Sequence, residues 1–387
     1  MSLPLQDRID EVRAEFPATA RMGYFNTGTI GPIPRRVLEV HQSLERRYHL
    51  AGPLDREAGD RVDKEYTEVR PKVASMLRTT PDRIALVENT TTGINAALLS
   101  HRWQPGDEVL TSDIEHPAVL VPLEYLRQRY GVVIRRVATR GGVLRTDDLS
   151  AAIGPNSRAI AISHVSFSTG GRFPVDEICL LARERSLLSV IDGAQSVGAI
   201  PVDLSRLQCD YYAFPGYKWT LGPQGTAGLF VSERAPEVFP YRVALHAVAE
   251  RFPEGGFRLH ADARRFEGTA TTAKMEFISL GGSIDLLAGY GWDAVFRRVA
   301  GLCEQFRAGV LTIPGAELIT PRSRDEAAGL IAFRVAGRSA AEMDAQLYRQ
   351  GMVVRTVGGN GLRASFHLYN TPEEVDGLLD AIRDLVA

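Results

Sequence analysis

The chain has 387 residues, of which 44% are hydrophobic, 24% charged and 8% aromatic, the profile of a soluble globular protein. That length corresponds to about two to three domains of roughly 150 residues and excludes disorder, collagen-like repeats and a disulfide-stapled miniprotein. The 45 basic and 47 acidic residues leave a net charge of −2, which supports neither a nucleic-acid surface nor a polybasic membrane tail.

Three cysteines, Cys179, Cys209 and Cys303, lie far apart in the chain. This argues for a reducing compartment and against a disulfide framework or a CxxC metal site, and no metal ligands are expected. The N-terminus carries early charges and no apolar h-region, so it does not read as a signal peptide. No apolar run approaches the ~18–20 residues of a membrane helix. A cytoplasmic protein is expected. Lysine occurs at only four positions, Lys64, Lys72, Lys218 and Lys274, so a lysine in an unusual setting stands out.

In chain order, residues 5–16 read as a short amphipathic helix and FNTGTIGPIP (25–34) as a Gly/Pro loop. Pro34 suits the first turn of a helix through residue 50. A second helix is expected over 57–78. Then short apolar runs alternate with helical stretches. The runs are RIALVEN (83–89), DEVLTSD (107–113), VVIRRV (132–137), RAIAISHVS (158–166), LLSVIDGA (187–194), DYYAF (210–214) and AGLFV (227–231). Such alternation predicts an α/β fold with a mostly parallel sheet covered on both faces. After about residue 255 the pattern changes. One or two long helices, then LIAFRV, a helix, GMVVRT, GLRASFH and a last helix read as a smaller α+β domain. Thr371 and Glu374 form a capping box for that last helix. The division expected is an N-terminal arm (1–20), a large domain (21–255) and a small C-terminal domain (256–387).

Ligands in open α/β sheets bind beyond the carboxyl ends of the strands. Thr91 and Thr92 open the helix after the first run, where free N–H groups can cradle phosphate; the plainer reading is a threonine N-cap. His116 stands at a strand-to-helix junction, and either caps or serves a site. His164 by itself reads as structural. Asp192 ends an apolar strand, where a carboxylate is costly unless paired, and Gln195 follows it. Lys218, between Tyr217 and Trp219, is either a snorkelling lysine or one with a lowered pKa, ready for Schiff-base formation. Arg355 and Arg363 lie on adjacent strand-like pieces, as a carboxylate fork or as two surface salt bridges. Together, a phosphate cradle, a strand-end aspartate and a desolvated lysine meet the needs of pyridoxal phosphate (PLP).

On the run EHPAVL, DGAQSVG and DYYAFPGYKWTLGPQGTAGLF, the sequence resembles the class V aminotransferase superfamily of PLP enzymes over nearly its whole length. With RFE later in the chain, it looks most like the cysteine/cystine C–S lyase branch. The resemblance implies the fold type I architecture and a homodimer with shared active sites. It implies that Lys218 holds PLP as a covalent imine, the internal aldimine. Asp192 would pair the pyridinium nitrogen, Gln195 approach the ring hydroxyl, and His116 stack on the ring. Thr91 and Thr92 would bind phosphate, and Thr271 would reach the phosphate of the neighbouring subunit. Arg363 would clamp the substrate carboxylate, with Arg355 and Asn26 nearby.

The chain departs from the pattern in three places. Pro215, Gly216 and Tyr217 replace the usual Ser/Thr-Gly-His before the lysine. The ring-hydroxyl asparagine is replaced around Phe167 and Ser168. The loop TVGGNG, where desulfurases carry a nucleophilic cysteine, has none. A lyase cleaving the C–S bond of cysteine- or cystine-like amino acids is therefore expected, and persulfide-forming desulfuration is disfavoured. Epimerisation, with Tyr217 as a second acid/base, transamination, and a non-catalytic assembly role are the alternatives. No nucleic acid or membrane partner is expected.

Overall fold

The computed structural model describes residues 5–386. The N-terminal part contains α1 (Ile9–Ala14), β1 (Gly23–Tyr24), α2 (Arg35–Ala51), α3 (Arg56–Thr67) and α4 (Val69–Met76). The middle alternates β2 (Ile84–Val87), α5 (Thr90–Leu99), β3 (Glu108–Ser112), α6 (Pro117–Tyr130), β4 (Val133–Val137), α7 (Thr146–Ala152), β5 (Ser157–Ser163), α8 (Val175–Glu184) and β6 (Leu188–Asp192). Strands β7 (Tyr211–Pro215) and β8 (Ala227–Val231) follow, then a hairpin of β9 (Val248–Arg251) and β10 (Phe257–Leu259). The C-terminal part holds α9 (Lys274–Tyr290), α10 (Trp292–Val310), β11 (Ala316–Leu318), β12 (Leu330–Val335), α11 (Ala340–Arg349), β13 (Met352–Val353), β14 (Arg355–Val357), β15 (Gly361–Ser365) and α12 (Pro372–Val386).

The seven runs read from the sequence form one sheet, in the order β2-β8-β7-β6-β5-β3-β4. Only β8 runs against its neighbours; the other pairings are parallel. Strands β6, β7 and β8 are buried along their whole length, which is why they read as continuous apolar runs. One face packs against α4, α8 and α9, the other against α5 and α6. A second, antiparallel sheet, β11-β12-β15-β14, packs with α10 and α12 around Phe306, Phe333 and Phe366. The N-terminal segment joins this second core through Val12, Phe16 and Phe25. Helix α9 lies against α2, α3 and α4.

Two local expectations are revised. The helix over 57–78 is two helices, α3 and α4, meeting at Glu68. Pro71 has no N–H to offer Thr67, so the i→i−4 ladder breaks there. Between β8 and α9 lies the β9–β10 hairpin, which is not among the strands read from the sequence. Its strands are almost wholly exposed, so no apolar alternation announces them. The capping box forms as read: Glu374 N donates to Thr371 Oγ1 and Thr371 N to Glu374 Oε2, both at 3.2 Å.

Candidate active site

The sheet delivers its polar residues to one rim. Asp192 is the last residue of β6, and Lys218 lies three residues beyond β7. His116 joins β3 to α6, and the loop after β5 carries Phe167 and Ser168. Helix α6 begins at Pro117, and His116 caps it: Nδ1 accepts from Ala118 N at 3.0 Å. Nδ1 is therefore unprotonated. The ring meets Phe167 edge-on, with centroids 4.8 Å apart. Burial, then the charges of Lys218, Arg355 and Arg363, lower the His116 pKa to about 4, so the ring is neutral at pH 7.

Asp192 is buried, and its Oδ1 accepts from Ala194 N at 2.8 Å. Burial raises its pKa, against the opposing pull of Lys218 and the Ala194 N–H. Lys218 is half-buried by exposed area. Desolvation lowers its pKa to about 8; Asp192 opposes this, while Arg363 and Arg355 add to it. Tyr217 sits beside it, its phenol raised by burial and by Asp192.

The arginine-lined side is built from three distant segments. Arg363 on β15 is buried; Nη1 donates to Phe167 O at 2.8 Å, and Nη2 to Thr29 Oγ1 at 2.9 Å and Asn26 Oδ1 at 3.3 Å. Arg355 stands opposite it in the β14–β15 register and donates to the same Thr29 Oγ1 at 2.9 Å. Burial and the Arg355 charge bring the Arg363 pKa down to about 9. The Arg363 Nε is buried without a partner. Gln195 donates through Nε2 to Gly28 O at 2.8 Å, and its Oε1 accepts from Trp219 Nε1 at 2.9 Å.

The structure thus brings His116, Tyr217, Asp192, Lys218, Arg355 and Arg363 within reach of each other's charge, with Gln195, Asn26 and Ser168 on the surrounding loops. Thr91 and Thr92 lie at the start of α5, but the cap is Asn89, whose Oδ1 accepts from Thr92 N at 2.8 Å. That leaves the N–H groups of Thr90 and Thr91 free, and the Thr90 hydroxyl is buried and unpartnered. Gly93 lets α5 press onto β7, since a Cβ there would stand 2.8 Å from Ala213 Cβ. Thr271 is exposed in the loop before α9, and no hydrogen bond joins it to this cluster among the described residues. Lys274, on the first turn of α9, is paired with Asp63.

Sequence reading missed Thr29, which links both arginines, and Asn89, for which an Asn ahead of TTTG was the available signal. It also missed Glu115, buried beside His116. Its carboxylate accepts from Ser112 Oγ at 2.5 Å and from Ser163 N at 2.9 Å. Burial raises its pKa to about 7.

These residues fit PLP. Among the described residues, no ion pair within 4.0 Å joins Asp192, Lys218 or Arg363 to any partner. An unpaired buried carboxylate, an unpaired amine and an unpaired buried guanidinium sharing one rim call for a ligand with complementary charges. A pyridinium nitrogen, an aldehyde and a carboxylate-bearing substrate supply them. Fold and site define a fold type I, PLP-dependent enzyme.

A family model described as aminotransferase class-V matches residues 24–378, and the chain belongs to that family. The isopenicillin N epimerase of Streptomyces clavuligerus is 32% identical, over 96% of this chain and 97% of that one. A cysteine desulfurase of Enterobacter sp. (strain 638) is 29% identical, over 99% and 98%. Among solved structures, the cystine C–S lyase C-DES bound to its product cysteine persulfide matches with a TM-score of 0.90 and 28% identity, over 95% of this chain and 99% of that one. No helix among the described residues is long and apolar enough to cross a membrane.

Proposed function

We propose that the protein is a lyase that removes the β-substituent, a thiol or persulfide, from cysteine- or cystine-like amino acids. The observation that carries this reading is where its thiols lie. Cys179, Cys209 and Cys303 are all buried, and the β14–β15 turn, Gly358–Asn360, has no cysteine. Burial pushes the Cys303 thiol up to about 12, while Cys209 and then burial raise Cys179 well above its ordinary value. A reaction that needs no protein nucleophile fits that arrangement better than persulfide formation on the enzyme.

Bound PLP supplies the electron sink for charge released at Cα. Lys218 would anchor it, Asp192 would face its ring nitrogen, His116 would cover its face, and the start of α5 would hold its phosphate, with Ser168 and Gln195 alongside. Arg363, with Arg355, Asn26 and Thr29, holds the substrate carboxylate. Lys218 Nζ, with its pKa near 8, would take the Cα proton as general base once the substrate amine has replaced it on the aldehyde carbon. The Cα–H electron pair becomes the Cα–Cβ double bond, and sulfur leaves with its own bonding pair. The enamine released hydrolyses to a keto acid and ammonia. We further propose a cytoplasmic homodimer in which Thr271 reaches the partner's phosphate site.

Keto-acid and sulfide release from L-cystine, L-cysteine and β-chloroalanine tests the reading. Keto acid from at least one of them supports it; none from any sinks it. The second reading, epimerisation, is favoured by the similarity to isopenicillin N epimerase and by Tyr217, whose hydroxyl has no hydrogen-bond partner among the described residues. Deuterium entering Cα without product release marks that case, and Tyr217→Phe then slows the exchange. Under the lyase reading the same substitution leaves elimination within about tenfold.

A further inference from the structure

Helices α2 and α9 pack side by side. His41 and Glu45 are four residues apart on α2, a spacing that puts both on one face. Glu276 comes from the first turn of α9. One ligating atom of each, a ring nitrogen and two carboxylate oxygens, lies within 4.8 Å of the others, and all three residues are half-buried. Glu276 has no hydrogen-bond or ion-pair partner among the described residues. Lys274, two residues earlier, is occupied by Asp63, so its charge does not oppose a cation there.

The histidine is oriented from outside the triad. Ser279 Oγ gives its only proton to Met275 O at 2.8 Å. Its 3.0 Å contact with His41 Nδ1 must then use the imidazole proton. In the neutral ring Nδ1–H donates, and Nε2 is left with a bare lone pair. Metal-ligating histidines are held in this way, with the second ring nitrogen donating to a neighbouring oxygen.

We propose that His41, Glu45 and Glu276 form a site for a divalent first-row transition ion of the zinc class, tying α2 to the start of α9. One nitrogen and two oxygen donors suit zinc, cobalt or manganese rather than copper(I) or iron–sulfur chemistry. Donors around tetrahedral zinc, with bonds of ~2.1 Å, stand about 3.4 Å apart, so the triad closes by small rotations of the two glutamates. The fourth position is open to water or to His49, whose Nε2 already lies 3.1 Å from Glu45 Oε2. The two carboxylates match the charge of the ion.

The test is isothermal titration of the tag-free holoenzyme with Zn²⁺, with bound zinc measured after dialysis. One zinc per chain is expected. Affinity should fall at least tenfold in His41→Ala and in Glu276→Gln, and stay unchanged in His260→Ala, which alters a histidine elsewhere on the chain. Zinc should also raise the thermal midpoint of the parent chain and not that of Glu276→Gln. The midpoint of Glu276→Gln without zinc shows that it folds. Either triad variant binding zinc as tightly as the parent, or a parent chain that retains none, overturns the proposal.

Discussion

Gly31 is the position where one methyl group should do most harm. Its N–H donates to Tyr217 O at 2.8 Å, which brings the loop that starts at Phe25 against the turn that carries Lys218. A Cβ at Gly31 would stand 2.3 Å from Lys218 O and 2.4 Å from Leu221 Cδ2. Real Cβ contacts essentially never fall below 3.0 Å, so the two backbones must separate by at least about 0.7 Å. The obstacle is a carbonyl, not the end of a flexible side chain. Overpacking of this kind costs about 1–3 kcal/mol, and loss of the Gly31–Tyr217 hydrogen bond adds about 1. Gly31→Ala should therefore lose about 2–4 kcal/mol in urea unfolding. The same shift moves Thr29 away from Arg355 and Arg363. A misplacement of about 1 Å lowers kcat/KM on the order of a hundredfold, measured as keto-acid release. Gly301, exposed on α10, is the control: a Cβ there meets nothing within 4 Å. Gly301→Ala should stabilise by about 0.5–1 kcal/mol and leave the rate alone. A Gly31→Ala protein with parental midpoint and rate would refute the steric argument.

Other outcomes follow from the same geometry. Glu267 is buried, with Oε1 2.5 Å from Arg70 Nη1 and 2.7 Å from Leu86 N. Glu267→Ala leaves the Leu86 N–H without its acceptor and Arg70, which still donates to Ile84 O, without its counter-ion, and should cost about 3–5 kcal/mol in urea unfolding, with most of it recovered when Arg70→Met is added to Glu267→Leu. Stability should also fall in acid. His164 is held near 3, and His101, His116 and His367 near 4, mainly by burial. Unfolding returns each to its ordinary value near 6.5, so the unfolded chain binds more protons between pH 4 and 6.5, and stability drops as pH falls through that window. Glu115 and Asp192, both raised by burial, act in the opposite sense. Four histidines against two carboxylates leave a net uptake of protons on unfolding, so urea midpoints should fall in order from pH 6.5 to 5.5 to 4.5; a flat profile would contradict it.

The sheet was legible because its strands, the exposed edge strand β4 apart, are buried on both faces and bounded by turns. Lys218 stood out against a background of arginine, and Asp192 through its place at the end of an apolar strand. Thr29 was not legible, because its partners Arg355 and Arg363 are more than 300 residues away in the chain. Glu115 was not legible either, because only the pairing of β3 with β5 brings Ser163 to it. The grouping of His41 and Glu45 with Glu276 was not legible, because the third member of the triad is carried by another element.

The loop bearing Asn26 and Thr29 is moored at both edges by late sequence. Phe25 N donates to Val353 O and Phe25 O accepts from Ser365 N, at 2.9 and 2.8 Å, while β1 lies in parallel beside β13. During synthesis this early segment leaves the ribosome long before its anchors. A nascent chain that has made every strand of the seven-stranded sheet, with Lys218 and Asp192, still lacks the wall that carries Arg355 and Arg363. In the function proposed above, substrate selection is thus the last part of the protein to be made, and a chain truncated before residue 350 should keep much of the sheet while losing recognition of amino acids.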